Sequence, residues 1–264
     1  MSQGASSCRQ GVLAFGDSIT NGGGELQWGV AMRSWAEWVA RGLGLAFTNY
    51  AVDGNRAVHV LHQQIPAFNR RAVDPDAGYD LGCLYVGVND VRAADWDAET
   101  FNVDFRFSVG FLLRRCDRVL IVTAPYDLGR PRGPGRVAHL NGLVETAARE
   151  SGALLLDLSE FRGRNLVMAD HVHPTAFGQI AIAERALAVV GAAGMEVRAR
   201  PSQMIMYETT WWRRLRSDAT YAYRHAKVSG RAAALSALTP GPGWRRAPDR
   251  GRRPEAPATP PQTS

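Results

Sequence analysis

Short apolar runs recur along the first 160 residues of the chain, with longer mixed stretches between them. Each run is nearly continuous in apolar residues and does not alternate between apolar and polar positions. A continuous run is typical of a parallel strand that is covered on both faces, because neither face meets water. The pattern predicts five such strands, at 12–15, 45–50, 81–86, 119–123 and 153–158.

Apolar residues at helical spacing follow each of these runs. Their periodicity predicts amphipathic helices within 30–41, 58–65, 105–113, 140–147 and 177–187. Strands that alternate with helices are typical of βαβ units with right-handed crossovers. We therefore expect an α/β fold, in which a three-layer α/β/α sandwich is built around about five parallel strands.

The composition of the chain changes toward its end. We expect an N-terminal extension at 1–10, one α/β domain over 11–194 and a basic, aromatic helical extension over 195–230. Pro, Gly and Arg dominate after residue 240, which is typical of disorder, so we expect a disordered tail over 231–264. No apolar run approaches the ~20 residues that a membrane-spanning helix needs.

Positive charge is concentrated in the last quarter of the chain. The whole chain of 264 residues has a formal charge of +6. Residues 196–264 hold 13 Lys/Arg against 5 Asp/Glu, a net charge of +8, and residues 1–195 have a net charge of −2. A nucleic-acid-binding domain would be basic, and the α/β domain within residues 1–195 is not. We therefore expect no specific nucleic-acid partner.

The segment 203–226 is rich in aromatic and arginine side chains, and its sequence predicts an additional helix. Such a helix most often packs on its own domain or on a second subunit, and we favour that interpretation. The alternative is weak contact with a membrane surface, with the aromatic rings in the interface and the arginines toward anionic lipid.

The three cysteines, Cys8, Cys83 and Cys116, are widely spaced and odd in number. No pair has metal-ligand spacing, and free thiols suit a reducing compartment. The first ten residues lack the basic start and apolar stretch of a secretory signal. We therefore expect a cytoplasmic protein without a bound metal.

Serine chemistry is indicated at the end of the first predicted strand. The strand runs directly into Gly16-Asp17-Ser18, which places Ser18 at the carboxyl edge of the sheet, where open α/β folds hold their sites. A serine hydroxyl needs a base and an orienting group to act as a nucleophile. His173 is the candidate base, and Asp170 can accept from its Nδ1–H and leave Nε2 facing Ser18. His171 is a second histidine in the segment, although the spacing and Pro174 favour His173.

Acyl transfer also needs donors around the carbonyl oxygen, where negative charge develops. The candidates are the backbone N–H groups of Ser18 and Gly54 and the side-chain amide of Asn89. Gly54 and Asn89 each follow a predicted strand, so both belong to the same edge of the sheet as Ser18. A glycine also lets the backbone approach a substrate closely.

These segments, in this order, resemble the four blocks of the SGNH (GDSL-type) hydrolases over about residues 10–192. Ser18 corresponds to the nucleophile, Gly54 and Asn89 to the oxyanion positions, and Asp170 and His173 to the last block. The resemblance implies a flavodoxin-like sheet, no cofactor or metal, and hydrolysis of esters, thioesters or acetylated sugars. We therefore expect a serine hydrolase that acts on a small-molecule acyl ester.

Two alternatives remain at this point. The same residues could transfer the acyl group to an alcohol or a sugar instead of water. The chain could also be a non-catalytic binding protein that uses its basic, aromatic C-terminal segment. The loops at 21–29, 54–60, 90–98 and 126–136 shape the pocket, and the sequence leaves the acyl group, the leaving group and the oligomeric state open.

Overall fold

Five parallel strands form one sheet in the computed structural model of the protein. The structure describes residues 9–24, 30–71, 77–128, 134–163 and 165–205, and nine helical positions between 211 and 230. The strands are β1 (Val12–Gly16), β2 (Phe47–Asn49), β3 (Tyr79–Tyr85), β4 (Cys116–Val122) and β5 (Leu154–Leu156). All five lie on the predicted apolar runs.

The strand order across the sheet is β2-β1-β3-β4-β5, and every neighbouring pair is parallel. This is the flavodoxin-like order, in which the chain reverses direction across the sheet between β1 and β3. The reversal opens a crevice at the carboxyl ends of these two strands, where ligands of such folds bind. The predicted fold class is confirmed, and the topology directs attention to the segments that follow β1 and β3.

Eight α-helices surround the sheet in the described part of the chain. They are α1 (Ser18–Asn21), α2 (Trp35–Leu43), α3 (Ala57–His59), α4 (Ile65–Arg71), α5 (Val88–Arg92), α6 (Ala98–Leu113), α7 (Pro134–Ser151) and α8 (Ala176–Ala192). A π-helical turn, Val60–Gln64, joins α3 to α4. The five predicted helical segments correspond to α2, the α3–α4 unit, α6, α7 and α8. The short helices α1 and α5 were not predicted.

Helices cover both faces of the sheet. Phe15 of β1 lies opposite Leu84 in the register with β3, and its ring contacts Phe68 of α4 and Phe111 of α6. The next residue along β3, Tyr85, points to the other face and contacts Trp35 of α2. Because successive side chains of a strand alternate between faces, α4 and α6 lie on one side and α2 on the other. The sandwich therefore has three layers, as predicted.

The chain continues along the domain after α8. The backbone N–H groups of Arg198 and Ala199 donate to the carbonyl of Gly42 at 2.8 and 3.1 Å, which holds this segment against α2. A short 3-10 helix, Pro201–Gln203, follows. Residues 1–8 of the predicted extension at 1–10 and the whole of the predicted tail at 231–264 lie outside the described residues.

Two further expectations concern the cysteines and the membrane. Cys83 and Cys116 are buried free thiols, and burial raises the pKa of both above the ordinary thiol value. Cys8 lies outside the described residues. No helix in the described part of the chain has both the length and the apolar character needed to cross a bilayer.

Candidate active site

Ser18 lies where β1 ends and α1 begins. Asp17 separates them and is the N-cap of α1, since its Oδ1 accepts a hydrogen bond from Ile19 N–H at 3.0 Å. Ser18 is therefore the first residue of a helix and not part of an open turn. The first N–H groups of a helix have no acceptor within the helix, so the Ser18 N–H has no acceptor inside α1.

The end of β1 is held on both sides by one buried side chain. Gln64 Oε1 accepts from Gly16 N–H at 3.1 Å, and Gln64 Nε2 donates to the Gly16 carbonyl at 2.7 Å. Gly16 has a φ of 153°, and a Cβ there would lie 2.3 Å from the carbonyl oxygen of Tyr85. Only glycine therefore allows β1 and β3 to stay paired at the point where the chain turns into Ser18.

A second buried amide fixes α1 from the opposite layer. Gln179 of α8 donates from Nε2 to the carbonyls of Ile19 at 3.0 Å and Gly23 at 3.3 Å, and its Oε1 accepts from Trp35 N–H at 2.8 Å. Sequence reasoning missed both Gln64 and Gln179. The signal was present, because each is a polar residue within an otherwise apolar helical face, and a buried polar group must find partners.

Asp17 is buried to 1% exposure directly beside Ser18. Burial raises the pKa of its carboxyl to about 7, although the hydrogen bond from Ile19 N–H and the nearby His173 act in the opposite direction. Within the described residues, its Oδ2 has no hydrogen-bond partner. The ionisation of Asp17 therefore falls close to neutral pH and not in the ordinary range of a carboxyl group.

Ser18, His173 and Asp170 form one continuous line of hydrogen bonds. Ser18 Oγ lies 2.8 Å from His173 Nε2, and His173 Nδ1 lies 2.6 Å from Asp170 Oδ2. The other oxygen of Asp170 accepts from the backbone N–H groups of Val172 at 2.9 Å and of His173 at 3.0 Å. Asp170 thus orients both the ring and the backbone of His173.

The pKa values of His173 and Asp170 both differ from the ordinary values of these side chains. The hydrogen bond to Asp170 raises the pKa of His173 and outweighs the lowering by burial, and the charges of Asp17 and Asp53 act in the same direction as Asp170. Burial would raise the pKa of Asp170, but the hydrogen bonds from His173 and from the backbone outweigh it and leave this pKa below its ordinary value. Asp170 therefore stays ionised when His173 takes up a proton.

The second histidine of this segment has a different partner. His171 Nδ1 lies 3.1 Å from Asp127 Oδ2, in the loop that follows β4. His171 also has a φ of 60°, a left-handed conformation that is uncommon outside glycine. This turn separates the two rings, so that His173 contacts Ser18 and His171 joins two loops at the edge of the sheet.

Gly54 lies in the loop after β2, which is attached to the end of β1. The N–H of Val52 donates to the Gly16 carbonyl at 3.2 Å, and the N–H of Asn55 donates back to Val52 at 3.2 Å. Gly54 has a φ of 76°, and a Cβ there would meet no atom within 4 Å. The glycine is therefore needed for its backbone conformation and not for lack of space.

Asn89 follows β3 and contacts the same loop. It lies in α5, and its Nδ2 donates to the carbonyl of Asn55 at 3.0 Å. The neighbouring Asp90 is directed away and accepts from Ala57 N–H at 3.2 Å, which ties α5 to α3. Burial raises the pKa of Asp90 to about 6. The structure thus brings Asn89 to the loop that carries Gly54, and Asp90 shapes the local backbone.

A cleft of about 300 Å³ lies between α3 and the start of α6, and the residue that links it to the site is Asp90, the neighbour of Asn89 in the chain. Arg56 and Trp96 line it, together with the carboxylates of Asp90 and Asp95. Arg56 Nη1 donates to Asp95 Oδ1 at 2.9 Å across the cleft wall. Two of the loops predicted to shape the pocket, 54–60 and 90–98, therefore line this cleft. Residues 25–29 and 129–133 of the other two loops lie outside the described residues.

The described residues contain no group of three or more His, Cys, Asp or Glu side chains that could hold a metal ion. The chemistry of the site is that of a serine hydroxyl, an imidazole and a carboxylate, with amide donors beside them. A profile of the GDSL-like lipase/acylhydrolase family matches residues 14–180. The chain belongs to this family. Its members cleave ester bonds, and the protein is an ester-cleaving hydrolase of the GDSL type.

Solved structures show the same fold. An α/β hydrolase enzyme, LAE5, from the metagenome of Lake Arreo, Spain, has a TM-score of 0.55 and 19% sequence identity over 69% of this chain and 95% of its own. Axe2, an acetylxylan esterase from Geobacillus stearothermophilus, has a TM-score of 0.54 and 21% identity over 72% of this chain and 97% of its own. No curated protein matches the chain. At these identities the structural neighbours establish the fold.

Proposed function

We propose that this GDSL hydrolase cleaves acyl esters through Ser18, His173 and Asp170. The observation that supports the proposal is the line of hydrogen bonds from Ser18 Oγ through both ring nitrogens of His173 to Asp170. A base within hydrogen-bond reach of the nucleophile, itself oriented by a third group, is the arrangement that nucleophilic catalysis requires.

In the first half of the reaction, Ser18 Oγ attacks the acyl carbonyl carbon, and its proton moves to His173 Nε2. The carbonyl electrons move onto the oxygen, and Ser18 N–H, Gly54 N–H and the Asn89 amide donate to it. When the intermediate collapses, the ester C–O bond breaks, and His173 gives its proton to the leaving alcohol. The product of this half is an acyl ester on Ser18.

Water completes the reaction. A water molecule takes the place of the alcohol, gives a proton to His173 Nε2 and attacks the acyl carbon. The bond to Ser18 Oγ then breaks, Ser18 recovers its proton from His173, and the acid is released. Asp170 stays ionised throughout and stabilises the imidazolium in both halves, which its lowered pKa supports. Every step is accounted for by groups of the chain and by water.

The walls of the cleft favour a short acyl group and a polar substrate. Asp90, the residue after Asn89, lines the cleft between α3 and α6 together with Asp95 and the guanidinium of Arg56. A long hydrocarbon chain placed against these groups would desolvate them without compensation. Trp96 offers an aromatic surface on which the ring of a sugar can pack. The acetylxylan esterase activity of the structural neighbour Axe2 is consistent with this substrate class.

The proposal is tested with p-nitrophenyl esters from acetyl to palmitoyl. We expect the highest kcat/KM with the acetyl ester, and a loss of about 10³-fold or more in kcat for Ser18→Ala, since removal of a triad nucleophile has effects on this scale. Ser202→Ala removes an exposed serine hydroxyl outside the site and is the matched control.

Unchanged turnover in Ser18→Ala, with a normal unfolding transition, would contradict the serine mechanism. The same assay with an added alcohol distinguishes hydrolysis from acyl transfer, because a transferase forms a new ester in preference to the free acid. We expect the free acid as the main product.

A further inference from the structure

Helical positions near the end of the chain carry an exposed aromatic face. Trp211, Trp212 and Tyr223 are 64%, 69% and 66% exposed, and Leu215 is exposed as well. Trp211 and Leu215 are helical positions four residues apart, a spacing that places two side chains on the same side of a helix. We call Trp211, Trp212, Leu215 and Tyr223 the aromatic face.

The aromatic face is unusual for this molecule. The rings of Trp211 and Trp212 lie 4.5 Å apart, so they form a continuous apolar surface. Of the other large apolar side chains that are exposed in the described residues, Val103, Phe107 and Leu113 lie on α6, whereas Val52, Tyr126 and Val197 lie on three different segments. Scattered apolar residues are normal, whereas a contiguous exposed patch marks an interaction surface.

The exposure argues against packing on the protein's own domain. The segment Pro201–Gln203 does attach there, since Ser202 N–H donates to Glu184 of α8 at 3.1 Å. The four side chains of the aromatic face, however, remain open to solvent beyond this attachment. The interpretation that these rings pack on the domain, favoured from the sequence, is therefore not what the described positions show.

Charge identifies the partner. Between 211 and 230 the sequence holds five Lys/Arg and one Asp, and residues 196–264 together have a net charge of +8. A second copy of the chain meeting this face would bring two basic segments together, which is unfavourable. Trp and Tyr beside Arg and Lys on one helix are typical of helices that lie in the interface of an anionic bilayer.

We propose that the aromatic face binds the surface of an anionic lipid bilayer. The rings of Trp211, Trp212 and Tyr223 enter the boundary between headgroups and acyl chains, and the basic residues of the segment contact the anionic headgroups. This places the hydrolase domain at a membrane surface. The proposal does not depend on the proposed catalytic mechanism, because none of these residues belongs to the Ser18 site.

The full chain is tested by flotation with vesicles of phosphatidylcholine alone or with one quarter phosphatidylglycerol. We expect binding to the anionic vesicles, weakened by added salt, and at least about tenfold weaker partitioning of the double variant Trp211→Ser/Trp212→Ser. Phe107→Ser is the matched control, since Phe107 is also 64% exposed but lies on α6 of the domain. It should bind as the wild type does.

Hydrolysis of a soluble acetyl ester should be equal in the wild type and both variants, which shows that the domain is folded. Ser18→Ala should bind vesicles normally, so failure of the catalytic proposal and failure of this one are distinguishable. Equal binding of the double variant, or equal binding to neutral and anionic vesicles, would overturn the proposal. Concentration-dependent dimers that the double variant abolishes, without vesicle binding, would assign the face to a second copy.

Discussion

The two halves of the candidate site are held in different ways. On the nucleophile side, Ser18 follows a buried strand and is fixed by the buried amides of Gln64 and Gln179. On the base side, the side chains of His173 and Asp170 are 31% and 38% exposed, and their loop includes the left-handed His171. The nucleophile is positioned by neutral hydrogen bonds in the core, and the base is positioned by charge at the surface.

This difference determines whether a mutation on each side mainly changes stability or mainly changes turnover. When a buried hydrogen-bonding side chain is removed, its former partners can bond neither to water nor to another protein group. The free energy of unfolding then falls by the full desolvation penalty of those partners. Partly exposed charges are screened by solvent, and they respond to pH because their protonation changes. We therefore expect mutations on the nucleophile side to reduce stability, and mutations on the base side to reduce turnover with little loss of stability.

The largest expected effect is on the base side. In Asp170→Asn the amide oxygen can still accept from Val172 and His173 N–H, but the amide nitrogen then faces His173 Nδ1 and favours the wrong tautomer. We expect kcat to fall about 10³-fold or more, as is usual for the orienting carboxylate of a triad, with little change in the free energy of unfolding. Steady-state kinetics and urea denaturation measure the two quantities.

Asp157→Asn is the matched control for this variant. Asp157 also accepts from a backbone N–H, that of Ser159 at 2.8 Å, and from a side chain, Thr123 Oγ1 at 2.8 Å, but it does not contact His173. Its substitution should leave kcat within about twofold, the range of ordinary substitutions away from a site. Similar losses in the two variants would mean that Asp170 acts only by holding its loop.

The second prediction concerns the nucleophile side. Gln179→Leu keeps the size of the side chain but removes the hydrogen bonds to Ile19, Gly23 and Trp35. We expect the free energy of unfolding to fall by about 2–4 kcal/mol, because two buried backbone groups and the partly buried carbonyl of Gly23 lose their partner. Chemical denaturation measures this loss. Gln203→Leu, at an exposed position, should change stability by less than about 0.5 kcal/mol. If Gln179→Leu is as stable as the wild type, buried hydrogen bonds do not hold the nucleophile side in the way that we describe.

The smallest effect is the pH dependence of the base. Neutral His173 accepts the Ser18 proton, so kcat/KM rises as the pH rises through the pKa of His173 in the free enzyme. The hydrogen bond to Asp170 raises this pKa, so we expect the midpoint above the ordinary histidine value of 6.5. Asp53→Asn removes one of the negative charges near His173 and should move the midpoint slightly down. A midpoint below 6.5 in the wild type would show that burial outweighs the charge of Asp170.

The raised pKa of His173 also affects stability, and here the effect of pH is opposite to its effect on activity. Because the pKa of His173 is raised in the folded protein, its pair with Asp170 stabilises the fold fully below the unfolded pKa. This contribution is lost as the pH rises through the folded pKa. Above that pH, His173 is neutral and can act as the base, but its charged pair with Asp170 no longer stabilises the fold.

Much of the architecture could be predicted because it depends on local patterns. Continuous apolar runs identify the buried parallel strands, and helical periodicity identifies the five longer helical units. The short helices α1 and α5 have only four and five residues, too few for periodicity to be visible. They carry Ser18 and Asn89, and the sequence therefore suggested turns at these positions.

Contacts over long sequence separations could not be predicted from patterns. Gln179 reaches Ile19 across 160 residues, and Gln64 reaches Gly16 across 48. The pairing of His171 with Asp127 depends on the conformation of two loops, so the sequence could distinguish the two histidines only by their spacing and by Pro174. The exposure of Trp211 also depends on tertiary placement, because one aromatic pattern suits both a packed and an open helix.

The central claim is that Ser18 is the nucleophile and that His173 activates it. Labelling of the intact protein with a fluorophosphonate, followed by peptide mass spectrometry, tests both parts at once, because the reagent forms a stable bond with an activated serine. We predict a single label on the peptide that contains Ser18, and almost none in His173→Ala. A label on another serine, or equal labelling of Ser18 without His173, would contradict the account.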